Sequence, residues 1–243
     1  MKKFICLLSL FILVAACKKD RSQQITRRLV KITDVQSTKL FTYDSNNRLV
    51  KEQDNRSWPC FRPLQETFYT YQDSKLIKAK NISILEDSEG CDPSQKFEFE
   101  QLFLYHENGN IKTISQLSSS LMTTATSTEY FYDQRGLIIK TVLKWDNQTV
   151  TTNFKHDSRG NVIKMIDANG FVTHYEFDNK KNPYYFNKIQ IGLPTPFTMS
   201  PNNIIKGTGS QTYTRQFKYD SSGWPVEVLE TNGRTYIYHY ENN

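Results

Sequence analysis

Aromatic and polar residues alternate along most of the chain, and the alternation keeps breaking at one phrase. It reads aromatic, any residue, aromatic, aspartate, then two small or polar residues, a glycine or asparagine, and an aliphatic. "LFTYDSNNRLVKEQ" carries it near the start, "NFKHDSRGNVIKMID" in the middle and "QFKYDSSGWPVEVLE" near the end. Phe41-x-Tyr43-Asp44 runs to Asn47 and Leu49, and Tyr69-x-Tyr71 leads to Leu76, one residue short. Phe103-x-Tyr105 leads to Ile111, Tyr130-x-Tyr132-Asp133 to Gly136 and Ile138, and Phe154-x-His156-Asp157 to Gly160 and Val162. Tyr175-x-Phe177-Asp178 leads to Pro183, Phe217-x-Tyr219-Asp220 to Gly223 and Pro225, and the half copy Tyr238-x-Tyr240 comes last. Period-two alternation with one apolar face predicts strands. An aspartate opening a type I turn bonds its own backbone two residues on, and glycine or asparagine three residues later accepts the left-handed conformation of a bulged hairpin. Asp44, Asn47, Asp133, Gly136, Asp157, Gly160, Asp178, Asp220 and Gly223 are therefore assigned structural turn roles. Asparagine in place of Asp157 should make the same turn. After each turn the aliphatic comes to face the aromatic, Tyr43 across from Leu49.

The second aromatic falls at positions 43, 71, 105, 132, 156, 177, 219 and 240, so one late interval is double length, as if a copy were skipped. Repetition on this scale marks a repeat architecture. Between the phrases, Trp145–Gln148, Asp167–Gly170 and Thr231–Gly233 supply further reversals. The expected fold is all-β, an antiparallel hairpin meander of roughly 14 strands, more than the ~10 an open sheet usually holds before curling. It should curl into an open or closed barrel-like sheet. The Tyr/Phe face would be buried and the face bearing Thr42, Thr70, Lys155, Glu176 and Lys218 wetted.

The phrase resembles the one for which YD-repeat (RHS-type) proteins are named, over about residues 39–240 and seven copies. That resemblance implies the repeat type. The toxin-enclosing role of the large members does not follow, because the chain lacks their length and any toxin-like end. Asn182-Pro183-Tyr184-Tyr185 and Ser200-Pro201-Asn202-Asn203 resemble small Gram-negative envelope lipoproteins with an uncharacterised domain of porin-like fold. This second resemblance implies a fold and a location only. A transmembrane barrel needs an apolar band facing lipid on every strand, and the polar face here would be costly in hydrocarbon. The sheet is expected to be water-exposed and tethered.

The tether is read from "MKKFICLLSLFILVAAC". Lys2 and Lys3 form a basic n-region, Phe4 to Val14 is apolar, and Ala15-Ala16 supplies small residues for cleavage. The apolar run is shorter than the ~20 residues a spanning helix needs. Val14-Ala15-Ala16-Cys17 resembles the lipobox of bacterial lipoproteins, which implies that Cys17 receives a lipid and becomes the mature N-terminus. The domain reading is a signal peptide over 1–16, a lipidated N-terminus and tether over 17–30, and a YD-repeat β domain over 31–243. Lys18 rather than aspartate after the cysteine points to the outer membrane, on its periplasmic or surface face. Cys60 and Cys91 remain as a pair in an oxidising compartment, and a disulfide is expected.

Removing residues 1–16 removes two lysines and no acid, taking the net charge from +6 to +4. The remaining lysines are scattered, so no nucleic-acid footprint is expected. His106, His156, His174 and His239 show no metal-ligand spacing, and the aspartates recurring once per hairpin are explained by turn chemistry rather than paired catalysis. No phosphate loop or nucleophile elbow is present; no cofactor and no enzymatic activity are expected. Residues 189–207, "IQIGLPTPFTMSPNNIIKG", fill the double interval. Their apolar content (Ile189, Ile191, Leu193, Phe197, Met199, Ile204, Ile205) fits a plug across one end of the sheet, or a lip contacting a ligand. Trp58 and Phe61 sit in other long connections. The expected function is a non-enzymatic envelope or cell-surface binding module. The alternatives are an assembly component docking other envelope proteins and a degraded carbohydrate-active enzyme. Exposed Trp and Tyr in a groove would favour a glycan, and an exposed apolar patch at 189–205 a protein partner.

Overall fold

Alternation of one apolar and one polar face, interrupted by turns that tolerate positive φ, leaves the chain little choice but to form hairpins. A computed structural model describes residues 27–56, 62–86, 95–117, 125–186, 194–210 and 212–242. Cys17 with the segment read as a signal, Trp58, Phe61, Ile189, Ile191, Leu193, Cys60 and Cys91 lie outside the described residues. The first eight strands are β1 (Arg27–Thr33), β2 (Ser37–Tyr43), β3 (Leu49–Arg56), β4 (Arg62–Gln72), β5 (Lys75–Glu86), β6 (Gln95–Tyr105), β7 (Ile111–Gln116) and β8 (Thr126–Tyr132). The next four are β9 (Ile138–Trp145), β10 (Gln148–His156), β11 (Val162–Ile166) and β12 (Val172–Lys181). Two short helices follow, α1 (Pro183–Phe186) and α2 (Pro196–Met199), and then β13 (Asn202–Thr208), β14 (Thr212–Tyr219), β15 (Pro225–Glu230) and β16 (Thr235–Asn242). Each strand pairs antiparallel with the next, and β16 returns to β1, closing a sixteen-stranded barrel.

β1 begins at Arg27, inside the stretch read as tether. Its charged surroundings hide a strand whose Leu29 is fully buried. Phe41, Tyr69, Phe103, Tyr130, Phe154 and Tyr175 point into the barrel and are buried, whereas Thr42, Thr70, Lys155, Glu176 and Lys218 face out and are exposed. Outward positions carry cross-strand ion pairs, among them Lys51–Glu66 (2.6 Å), Lys80–Glu98 (2.8 Å), Lys144–Glu129 (2.7 Å) and Lys218–Glu227 (2.7 Å). Such pairs add little stability in water, but they would be costly against lipid tails.

A sixteen-stranded barrel leaves a lumen too wide for its wall side chains to fill alone. Here the described parts of the double-length interval between β12 and β13, α1 and α2, pack inward. Tyr184 of α1 packs against the wall cluster around Leu29, Phe41 and Tyr69 and meets Tyr238 edge-on at 6.5 Å. Met199 of α2 joins Phe154 and Val162.

Candidate functional site at the barrel mouth

The repeated turns gather at one end of the barrel, and their geometry shows what each residue does. Asn46 N and Arg48 N both donate to Asp44 Oδ1 (2.9 Å each), while Asn47 N donates to Asp44 O (3.0 Å) with Asn47 at φ 60°. Asp133 with Gly136, Asp157 with Gly160, and Asp220 with Gly223 repeat the arrangement. At the Tyr71 copy the turn is only Asp73-Ser74, both at positive φ, as a two-residue hairpin requires. His106 occupies the aspartate place, and there Asn108 Oδ1 accepts from Asn110 N at 3.1 Å instead.

The hydrogen bonds to Asp133, above all from Leu137 N, hold its carboxyl below the usual carboxylate range. At Asp44 and Asp157 burial pushes the other way but is outweighed by local hydrogen bonds and a neighbouring arginine. A carboxyl whose folded value is depressed contributes stability above its unfolded value near pH ~4, and that contribution is lost as pH falls through the folded value. Acid unfolding followed by circular dichroism should therefore begin below about pH 4 and be steeper in wild type than in Asp133→Asn.

The second aromatic of the phrase acts between hairpins. At the turn end each hairpin separates from its neighbour; the β7–β8 ladder stops at Thr113↔Glu129, leaving Tyr132 beyond it. The tyrosine hydroxyl bridges the gap. Tyr132 donates to Ile111 O (2.8 Å), Tyr105 to Leu76 O (2.7 Å), Tyr71 to Leu49 O (2.8 Å), Tyr43 to Leu29 O (2.8 Å) and Tyr240 to Pro225 O (2.7 Å). His156 keeps the contact where it replaces tyrosine, its Nε2 lying 2.8 Å from Ile138 O. Burial pushes Tyr71 and Tyr132 up to about 12, so both stay protonated donors. Tyr132→Phe should cost about 1 kcal/mol by leaving Ile111 O without its donor. The double variant with Tyr71→Phe should show near-additive losses in denaturant midpoint.

Asp178 departs from the turn role assigned to it. Lys180 N still donates to its Oδ1 (2.9 Å), but Lys181 stands where the other copies have a positive-φ glycine or asparagine, and β12 continues to Lys181. The carboxylate instead accepts from Asn203 N (3.0 Å), Asn203 Nδ2 (3.1 Å) and the Tyr219 hydroxyl. It clasps the strand by which the plug returns to the wall. Asn182 closes the other side, with Nδ2 donating to Ser200 O (2.8 Å) and to Phe197 O, and Oδ1 accepting from Tyr184 N (3.0 Å). Asn161 links this collar to the Asp157 turn through Asn202.

The opposite end holds a cavity of about 380 Å³. Its walls come from the β1–β2 turn (Asp34, Gln36), the β15–β16 turn (Glu230, Arg234) and the plug (Tyr184, Phe197, Thr198). Charged residues on the inward face complete it. Arg215 pairs with Glu230 (2.6 Å) and lies 4.0 Å over the Phe197 ring. Arg234 pairs with Asp34 (3.2 Å) and donates to Gln36 Oε1 (2.8 Å). Lys39 pairs with Glu52 (2.7 Å) and approaches Asp54 (3.7 Å). Burial raises the Tyr184 and Tyr238 phenols, which stay neutral there.

Among the described sequence candidates, Phe197 lines this cavity and the histidines do not. His174 and His239 face outward and are exposed. Among the described residues no cluster of histidine, cysteine and carboxylates could hold a metal ion. Phe197 faces Arg215 and Tyr213, and Met199 and Ile204 are buried, so the described part of the 189–205 stretch presents no apolar patch to solvent.

No protein-family model and no curated protein matches the sequence. Among solved structures the chain is similar to a porin-like protein from Bacteroides uniformis, at 13% identity and TM-score 0.40, covering 88% of this chain and 98% of that one. A porin-like protein from Bacteroides vulgatus gives 12% identity and TM-score 0.38, covering 87% and 98%. The Photorhabdus luminescens Tc holotoxin pore gives 14% and 0.22, covering 88% of this chain and 12% of that one. Likenesses of this size add nothing to the barrel geometry described above.

Proposed function

We propose that the protein is an exported, non-enzymatic binding module of the cell envelope, held to the outer membrane by lipid on Cys17, with the barrel mouth as its ligand site. The mouth carries this reading: a cavity lined by aromatic rings and paired charges. Its placement fits a tether. Arg27 pairs with Asp220 and Arg28 donates to Asn47 (3.1 Å), so β1 enters at the turn end, and the mouth lies at the end remote from the chain's attachment. The stretch from Cys17 to Arg27 reaches at most ~35 Å. The ion-paired outer wall supports a barrel in water beside the membrane rather than within it. The carboxylates at the mouth each have a cationic neighbour, which favours recognition over acid–base work. Of the apolar residues the docking alternative would present at 189–205, Phe197 turns to Arg215, and Met199 and Ile204 are buried.

Cys17→Ala should abolish fatty-acid labelling and release the protein from membrane fractions. A variant that still labels, or still pellets with membranes, would overturn the anchoring half of the proposal.

A further inference from the structure

The geometry points to a neutral, hydroxyl-rich ligand for the mouth, a saccharide unit or short oligosaccharide; this rests on the reading of the mouth as the ligand site. Three cations (Lys39, Arg215, Arg234) and three carboxylates (Asp34, Asp54, Glu230) line the cavity, and Glu52 backs Lys39 at 2.7 Å, so no lining cation is without an acidic partner. Each cation lies within 4 Å of a carboxylate there: Arg215 of Glu230 at 2.6 Å, Arg234 of Asp34 at 3.2 Å and Lys39 of Asp54 at 3.7 Å. A charged ligand would have to compete with one of these pairs and leave a half-buried charge uncompensated. An apolar ligand would strip water from six charged groups and return no hydrogen bonds. A hydroxyl both donates and accepts, so it can bond a carboxylate and a guanidinium together while the pair stays intact.

The rings supply the second half of the match. Phe197, Tyr236 and Tyr238 line the same cavity, and Phe197 stacks on Tyr213 at 6.4 Å with Arg215 lying over its face. Aromatic faces are electron-rich and attract the weakly positive C–H edges that one side of a pyranose ring presents. A volume of about 380 Å³ lies at the lower end of small-ligand pockets and suits one or two sugar rings.

The test is isothermal titration of the full, lipidated protein in a zwitterionic detergent. The probes are neutral disaccharides (maltose, cellobiose, lactose, mannobiose, N,N′-diacetylchitobiose), with glucuronate, glucosamine, a dipeptide and phenol for contrast. At least one neutral disaccharide should bind, with the charged and apolar probes weaker. Phe197→Ala and Glu230→Gln, each checked for an unchanged circular dichroism spectrum, should weaken that binding about tenfold. Binding of a charged or apolar probe alone would overturn the saccharide assignment and leave the mouth as a ligand site. Saccharide binding indifferent to both substitutions would place the ligand elsewhere and overturn the inference. Silence from every probe, with the protein folded, would sink both readings together.

Discussion

Asn182→Leu should be among the most destabilising single substitutions in this chain. The side chain is 4% exposed and joins the two ends of the plug, meeting Ser200 O, Phe197 O and Tyr184 N. Leucine keeps the volume but removes every polar partner at once. Each buried group left unsatisfied costs about 1–3 kcal/mol, and because the three share one site their losses are not fully additive. A total of about 3–5 kcal/mol is expected, a drop of roughly 10 °C or more in melting temperature for a domain of this size. Asn202→Ala, at a half-buried position of the same collar, should cost about 1 kcal/mol. A melting temperature within two or three degrees of wild type for Asn182→Leu would show that the plug is held by its apolar contacts and that the collar is incidental.

Why a barrel of sixteen strands should depend on one asparagine follows from its width. Wall side chains reach inward from β1 to β9 and from β16, and the cluster they make is completed by Tyr184. The plug supplies the remaining contact, with Phe186 meeting Trp224 edge-on at 5.9 Å. Asn182 and Pro201 are joined by Asn182 N donating to Pro201 O at 3.0 Å, so the chain leaves and rejoins the wall at one point. The two described ends of the inserted segment are thereby tied to each other.

The wall was legible in the sequence because its physics is local: two-residue alternation, an aspartate that bonds two residues ahead, and a residue free to take positive φ. The roles of the tyrosine hydroxyls were not. Tyr105 reaches the carbonyl of Leu76, 29 residues earlier, and a main-chain carbonyl carries no side-chain signature. The strand count fell short because β1 is disguised by charge and β13 (Asn202–Thr208) begins inside the stretch read as plug. Asp178 keeps the local bond of the turn, to Lys180 N, and adds the Asn203 and Tyr219 contacts that only the pairing reveals; Lys181 in the glycine place marks the exception. The mouth had a signal too. Lys39-x-Phe41-x-Tyr43 and Arg215-x-Phe217-x-Tyr219 put cations in phase with the buried aromatics. On β3, the bulge opposite Tyr43 shifts the phase, so that Glu52 and Asp54 face inward with Leu49. That shift is not evident without the pairing. Arg215 and Glu230 face each other across the β14–β15 hairpin, but Arg234 meets Asp34 only through closure of β16 on β1, which no local pattern announces.

Gly160→Val should be the most damaging of the turn substitutions, and the structure separates its two causes. Gly160 sits at φ +95°, a conformation in which a β-branched residue is strained by about 1–2 kcal/mol. It is also buried, and a Cβ there would lie 3.6 Å from Leu137 Cδ2 and 3.9 Å from Pro201 Cγ. The Cβ itself fits, but the branched methyls beyond it would press on the residue that ends the plug, adding about 1–2 kcal/mol of overpacking. Gly109, at φ +86° with nothing within 4 Å of its Cβ, isolates the backbone cost alone. Gly160→Val should thus lose about 3 kcal/mol and Gly109→Val about half that. Gly160→Asn should fall below both in backbone strain, since Asn47 already holds φ 60° at the matching place. Asp157→Asn, which turn chemistry alone would make silent, should not be silent here. Asn161 Nδ2 donates to Asp157 Oδ2 at 3.0 Å, and an amide placed opposite an amide offers one acceptor too few, a loss of about 1 kcal/mol. Equal melting temperatures for Gly160→Val and Gly109→Val would remove the packing cause, and a wild-type value for Gly160→Val would overturn the turn geometry itself.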